Sequence, residues 1–391
     1  MSSSGRGLRL AVAVLILIVA LLFLSARIGI SYSSSLLESR QHQQARGWLD
    51  SVACFWPKSA RWHYLSARTH RRMREFDQFE ADLRIAQKKG WDREAIQWER
   101  LVAQAQQGRF RELTGRWDEM FQRAGSDGPE IGQAFVTQAL GTFQMADAAR
   151  GLQAWKRDFP DDPTAYLFAG QIEEAYLNWA QAEEEYRTGL EYNPGHPELS
   201  LGLARCLIRL RELNEAIELL EEIHTDAPAS EYYELLAQAC FDQGDFDRAE
   251  ELCARGLSKY PSSLMLRKLR VSLLLEKSEL DQSLVLLSVL AAEFPADVEI
   301  RYQLGRTLQR LGRKEEAQPH LEFAEAGSEQ MGRLNHLHDE LTKDPDNPDL
   351  LFEVAMIYYN YKSRQEGIVW LKNLLQRFPH YQPALEVLHG Q

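Results

Sequence analysis

Helical hairpins recur along most of this chain at intervals of about 34 residues, and that interval constrains the fold more than any other feature. Ser230–Pro261 shows one cycle. Tyr233, Leu236, Ala237 and Cys240 recur at helical spacing, the turn Gln243-Gly244-Asp245 follows, and Phe246, Ala249, Cys253, Gly256 and Leu257 mark a second helix that Pro261 closes. Pro160, Pro194, Pro228, Pro295 and Pro379 end equivalent cycles. Upstream of each proline stands a small residue: Ala148, Ala182, Ala216, Ala249, Ser283 or Gly367. Between the two comes a larger one: Leu152, Tyr186, Leu220, Cys253, Leu287 or Leu371. Two short helices cannot bury both of their apolar faces, so every cycle needs neighbours of its own kind. Runs of alternating Val, Ile and Thr are absent, which argues against sheet.

The agreement in phase of length, small residue, large residue and proline resembles the tetratricopeptide repeat (TPR) family over 129–323 and 348–381. The resemblance implies an all-α TPR-type α-solenoid, a right-handed superhelix of helical hairpins. Units are expected near 129–162, 163–196, 197–229, 230–263, 264–297, 298–323 and 348–381. The turn glycine is clear at Gly244 and Gly312, whereas Leu177, Arg211 and Ser278 stand in its place elsewhere. Residues 31–128 read as degenerate hairpins, of which 60–128 keep the period and little else. Counting back from Pro57 puts Ala45, Leu49 and Val52 in the second helix of a further unit, whose first helix would be the end of the preceding apolar segment. In 324–347 the period breaks, while Met331, Leu334, Leu337 and Leu341 keep helical spacing up to Asp344-Pro345-Asp346-Asn347-Pro348. This reads as a helical extension and a loop. Residues 382–391 read as a capping segment over the last exposed apolar face.

The N-terminus joins a polar, basic tail (1–9, with Arg6 and Arg9) to an apolar stretch over 10–30 that contains one charge, Arg27. That approaches the roughly 20 residues a membrane-spanning helix needs, and Arg27 lies near enough to its end to snorkel. An uncleaved transmembrane helix is the expectation; a signal peptide cleaved near Leu24-Ser25-Ala26 is the alternative. Arg6 and Arg9 favour the repeats outside the cytoplasm, whereas Arg27, Arg40 and Arg46 favour the opposite orientation. We expect a single-pass protein with its bulk extracytoplasmic, a cytoplasmic-facing bulk being the alternative.

Charge divides the chain. Residues 1–90 hold 14 Lys and Arg against 6 Asp and Glu, and the remainder holds 31 against 51. Arg61, Arg68, Arg71, Arg72 and Arg74 follow the apolar segment and suit either anionic headgroups or a solvated helix face. The acidic remainder argues against nucleic-acid binding. The four cysteines form no CxxC pair, and no phosphate loop, GxSxG or HExxH is present. His336 and Glu340 share a helix face while His338 points away, two ligands at most for a metal that needs three or four. No catalytic residue, metal or cofactor is therefore expected. The family packing pattern implies that Cys240 and Cys253 face each other, as core thiols or as a disulfide in an oxidising compartment.

In the TPR family the first helices of successive units line a concave groove that takes an extended peptide or a partner helix. Placing the period on this sequence puts Arg205, Arg209, Gln238, Lys268, Tyr302, Arg306 and Arg310 there, a row of cations suited to an acidic or C-terminal carboxylate ligand. Phe352, Met356, Tyr359, Asn360 and Phe241 take equivalent positions and supply an apolar stretch. The expected function is that of a membrane-tethered scaffold or adaptor in assembly of a membrane or envelope complex. A non-catalytic subunit of a secretion machine, or an enzyme with a TPR-like shell marked by clustered acid–base residues in 60–128, are the alternatives. Self-association stays open.

Overall fold

A computed structural model describes residues 4–113, 115–142, 144–223 and 229–389. The described residues are helical throughout, without strands, and divide into two compact units, 1–138 and 139–391. The unit end expected at Pro228 lies outside the described residues.

In unit 1, α1 (Ser4–Glu38) runs unbroken for 35 residues. It is the one described helix long and apolar enough to cross a membrane. Its second half turns back into α2 (His42–Phe55), and α3 (Ala60–Arg72) and α4 (Phe76–Lys88) form the next hairpin. Helices α5 (Arg93–Gln106), α6 (Trp117–Arg123) and α7 (Gly128–Gly141) follow, α7 crossing the unit boundary. Ala26, Ile30, Leu36 and Leu37 of α1 are buried against Ala45, Leu49 and Val52 of α2 and Trp62 and Leu65 of α3. The end of the apolar segment therefore forms the first helix of a hairpin.

In unit 2 the hairpins pair α9 (Pro163–Ala175) with α10 (Trp179–Tyr192) and α11 (Pro197–Leu210) with α12 (Leu213–Glu221). Next come α13 (Ser230–Gln243) with α14 (Phe246–Lys259) and α15 (Leu264–Glu276) with α16 (Leu280–Glu293). Helix α8 (Met145–Asp158) precedes them. Then α17 (Val298–Arg310) pairs with the first half of α18 (Lys314–Lys343), and α19 (Pro348–Tyr361) with α20 (Arg364–Arg377), before α21 (Gln382–His389). Asp and Ser side chains that accept a first-turn N–H start many of these helices, as Ser263 does for Leu266 and Asp297 for Ile300.

The small residues upstream of each proline are all buried: Ala148, Ala182, Ala216, Ala249, Ser283 and Gly367. Tyr186 shows why smallness matters. Its ring lies between Gly170 of α9 and Gly202 of α11, where an added methyl would sit 2.4 Å and 2.6 Å from ring carbons. Five hairpin turns of unit 2 use a left-handed residue, Gly244 and Gly312 but also Leu177, Arg211 and Ser278, all at positive φ, whereas the α19–α20 turn at Lys362 and Ser363 does not. The same strained conformation recurs in unit 1 at Arg40 and Arg74. Helix α18 serves two neighbours. Its second half buries Leu334, Leu337 and Leu341 against Leu351, Val354 and Leu371 of the last pair.

Candidate protein-binding groove

Along the face lined by α9, α11, α13, α15 and α17, the first helices of successive pairs are joined by polar contacts. Arg205 on α11 donates to Glu174 on α9 at 2.6 Å and to Glu231 on α13. Glu174 also accepts from Tyr186 Oη at 2.6 Å. Glu234 on α13 accepts from Ser263 at 2.7 Å, and Lys268 on α15 lies 2.8 Å from Asp297 and 2.7 Å from Glu299 at the start of α17. Burial alone would lower the Lys268 ammonium, but those two carboxylates outweigh it and raise it.

This corrects the expected row of free cations. Arg205 and Lys268 each sit between two carboxylates of adjacent helices, so their charge is spent within the protein. Arg209 stacks over the Trp179 ring at 4.9 Å, and Gln238 donates to Asp242 at 2.9 Å. Of that expected row, Arg306 and Arg310 on α17 keep a cationic edge without a carboxylate partner among the described residues. There Tyr302, Arg306 and Arg310 are exposed at intervals of four, and Arg306 reaches only Gln309, at 3.3 Å.

Beside this stripe lies a hollow of about 470 Å³, lined by Lys268, Glu299, Tyr302, Met331, Tyr361 and Lys362, among others. Met331 belongs to the extension of α18, so the break in period supplies one wall. Gly327 permits that approach, since a methyl there would meet Val298 at 2.3 Å and Tyr361 at 2.9 Å. Its walls mix aromatic and apolar side chains (Val298, Tyr302, Met331, Tyr361) with polar and charged ones (Lys268, Asp297, Glu299, Ser328, Lys362). A larger hollow, about 570 Å³, lies between α14, α15 and α16, where Val285 and Val289 are exposed; its walls are mainly apolar, and Arg267 there is tied to Glu293.

The remaining expected residues fall elsewhere or play packing parts. Phe352 is half-buried with its ring 5.7 Å from Tyr381, and Met356 is half-buried on the same face. Tyr359 instead packs on Gly367 within its own hairpin and accepts from Arg364 at 2.7 Å. Asn360 is exposed, and Phe241 meets Phe246 edge-on. The disulfide considered for Cys240 and Cys253 is not formed: both are free and buried, and Cys253 donates to the Leu266 carbonyl. Burial pushes the Cys253 thiol up to about 11, which leaves it inert near neutral pH.

Unit 1 holds polar chemistry that sequence reading missed. Arg68, Arg71 and Arg72 do not form a solvated helix face. They are buried with Glu99 and Asp127, Arg71 lying 2.7 Å from Glu99 and 2.6 Å from Asp127. Arg72 reaches Asp127 at 2.8 Å, and Arg68 reaches Glu99 and Glu38 at 2.8 Å. Burial alone would raise the Asp127 carboxyl, but Arg71, Arg72 and Arg68 hold it far below the usual range. Nearby, Asp82 accepts from Ser66 at 2.6 Å and pairs with His63 at 2.7 Å. The hydroxyl donates to the carboxylate and not to the imidazole, which is not the order of a Ser–His–Asp relay. The only signal for the buried cluster in the sequence was three arginines within five residues on a helix otherwise poor in acids.

Three family models described as tetratricopeptide repeat match residues 178–239, 230–273 and 298–322. Residues 178–273 and 298–322 thus carry tetratricopeptide repeats. A similar curated relative is the TPR repeat-containing protein PA4667 of Pseudomonas aeruginosa, 26% identical over 225 residues. The match covers 56% of this TPR chain and only 35% of that relative. Among solved structures, a tetratricopeptide repeat protein from Parabacteroides merdae is 14% identical, covering 67% of this chain and 98% of its own, with a TM-score of 0.42. The Cut9–Hcn1 hetero-tetramer of the APC/C is 12% identical, covering 95% and 84%, with a TM-score of 0.40. Pseudomonas aeruginosa pilF is 17% identical, covering 63% and 97%, with a TM-score of 0.36. TPR proteins generally mediate protein–protein interaction or scaffolding, and the α17 stripe with its hollow is where this one offers unspent groups.

Proposed function

We propose that this chain is a membrane-tethered, non-catalytic TPR scaffold. Helix α1 holds it in the bilayer with the repeats on the extracytoplasmic side, and unit 2 captures a segment of a partner protein. The occupant would place an apolar or aromatic side chain in the hollow beside Tyr302, Met331 and Tyr361, and a carboxylate on Arg306 and Arg310. Assembly of a membrane or envelope complex is the setting such a tether serves; a non-catalytic secretion-machine subunit is its narrower form. One observation carries the reading: Tyr302, Arg306 and Arg310 form an exposed stripe whose cations have no carboxylate partner among the described residues, whereas Arg205 and Lys268 are already neutralised.

A photo-crosslinking residue at position 302, in the full chain in membranes, tests this. One dominant protein adduct is expected, reduced roughly tenfold by Arg306→Glu with Arg310→Glu, the loss of a charge-assisted contact. The helical signal should not change. An adduct that survives charge reversal, or that forms equally from position 285, would overturn the assignment.

A further inference from the structure

Helix α1 leaves too little free length to cross a bilayer alone. A hydrocarbon core of about 30 Å needs roughly 20 helical residues at 1.5 Å each. Counted from Leu10, the first apolar residue after Arg9, the crossing ends near Gly29. Yet α2 packs along α1 well before that level. Tyr32 meets Trp48 with ring centroids 5.3 Å apart, Gly29 lies against Val52, and Phe23 meets Trp56 at 5.3 Å. The end of α2 remote from its turn with α1, residues 52–57 (the tip), therefore lies level with residues 23–29 of α1.

The sequence of that tip matches such a depth. Val52-Ala53-Cys54-Phe55-Trp56-Pro57 carries no charge, whereas α2 before it is polar and includes Asp50. Phe55, Trp48, Tyr32 and Ile28 are large and exposed beside it. Aromatic side chains of this kind favour the layer between headgroups and tails. Cations surround the tip. Lys58 follows it, Arg61 opens α3, and Lys89 at the end of α4 donates to the Lys58 carbonyl at 2.6 Å, bringing Lys88 to the same end. Lys58, Arg61, Lys88 and Lys89 are exposed, and none pairs with a carboxylate among the described residues. Lys58 lies 4.4 Å above the Trp62 ring, its stem against apolar surface in the manner of a snorkelling lysine.

We propose that the tip 52–57 is seated in the interfacial layer of an anionic bilayer, with Lys58, Arg61, Lys88 and Lys89 on its headgroups. This rests on the reading that α1 spans the membrane. Unit 1 is then fixed against the lipid surface by two apolar elements and a basic collar, with no linker between span and repeats.

Cys54 lies in the tip and is the one exposed cysteine of the four, so the native chain can be labelled there with an environment-sensitive fluorophore. The full chain is reconstituted in phosphatidylcholine vesicles with phosphatidylglycerol, and nitroxides are carried at the headgroup, just below it, or at the tail end. In a Cys54→Ser background, Ile16→Cys reports the span and Asp77→Cys reports the opposite end of α4. The Cys54 label should be blue-shifted and quenched most by shallow nitroxides, several-fold more than the label at 77. Lys58→Glu, Lys88→Glu and Lys89→Glu together should at least halve that quenching. A Cys54 label open to aqueous iodide, with the label at 16 still quenched from the tail end, would overturn the inference while leaving the span intact. Labels at 16 and 54 both open to iodide would overturn the membrane reading itself.

Discussion

Two ways of holding helical hairpins together coexist in this chain. In unit 2, order comes from repetition: small residues admit large ones, and adjacent pairs are stitched by partly exposed contacts such as Lys156–Glu185, Arg187–Glu215 and Lys277–Glu250, each 2.6–2.7 Å. Exposed pairs of this kind add little, because water and salt screen them. In unit 1, Arg68, Arg71 and Arg72 are buried with Glu99 and Asp127 and reach back to Glu38 at the end of α1. A buried cluster gains little net stability over an apolar core, but it penalises any arrangement that leaves one member unpaired. The contrast teaches where tolerance lies. Unit 2 can vary in sequence around a repeated geometry, whereas unit 1 depends on particular charges.

The largest expected effect tests that directly. Arg71→Met should destabilise unit 1 by about 3–5 kcal/mol, because Glu99 and Asp127 lose a buried partner. Arg205→Met in unit 2, more open to water, should cost about 1–2 kcal/mol by loss of hydrogen bonds to charged groups. Equal losses in urea unfolding would erase the distinction. Next comes packing: Gly202→Ala drives a methyl into the Tyr186 ring and should cost about 1–3 kcal/mol, read as a lower midpoint for unit 2 alone.

A pH series sharpens the comparison further. Burial, then the charges of Arg72, Arg40 and Arg71, push His42 down to about 4 from an ordinary 6.5. Between those values the unfolded chain binds the proton and the folded chain does not. Stability should therefore fall as pH drops from about 6.5 to about 4 and be unaffected by this group above 6.5. His42→Gln should flatten that slope. In unit 2, burial lowers His338 in the same direction, so a slope unchanged by His42→Gln would place the dependence there instead. The smallest effect is a gain: Leu177→Gly relieves a left-handed leucine and should add about 1 kcal/mol.

Legibility followed the same division. The hairpins of unit 2 could be read because burial there repeats, so each Ala, Tyr and Pro is confirmed by its equivalent 34 residues on. The turn positions of Leu177, Arg211 and Ser278 were visible from phase alone, without the glycine that usually marks them. The free cations of the groove were not. Whether Arg205 or Lys268 is spent depends on Glu174, Glu231, Asp297 and Glu299, which lie 26 to 31 residues away and carry no periodic mark. Unit 1 hid more. Asp127 and Glu99 sit far from Arg71 in sequence, and polar residues at buried positions imitate an exposed helix face when read by hydropathy.

The central claim is that partner capture falls on the α17 stripe and the wall added by α18. Hydrogen exchange on the full chain in vesicles, with and without the partner trapped at position 302, tests it most directly. Slowed exchange confined to residues 298–310 and 324–334 is the predicted result. Protection centred on α16, around Val285 and Val289, or on unit 1, would contradict it.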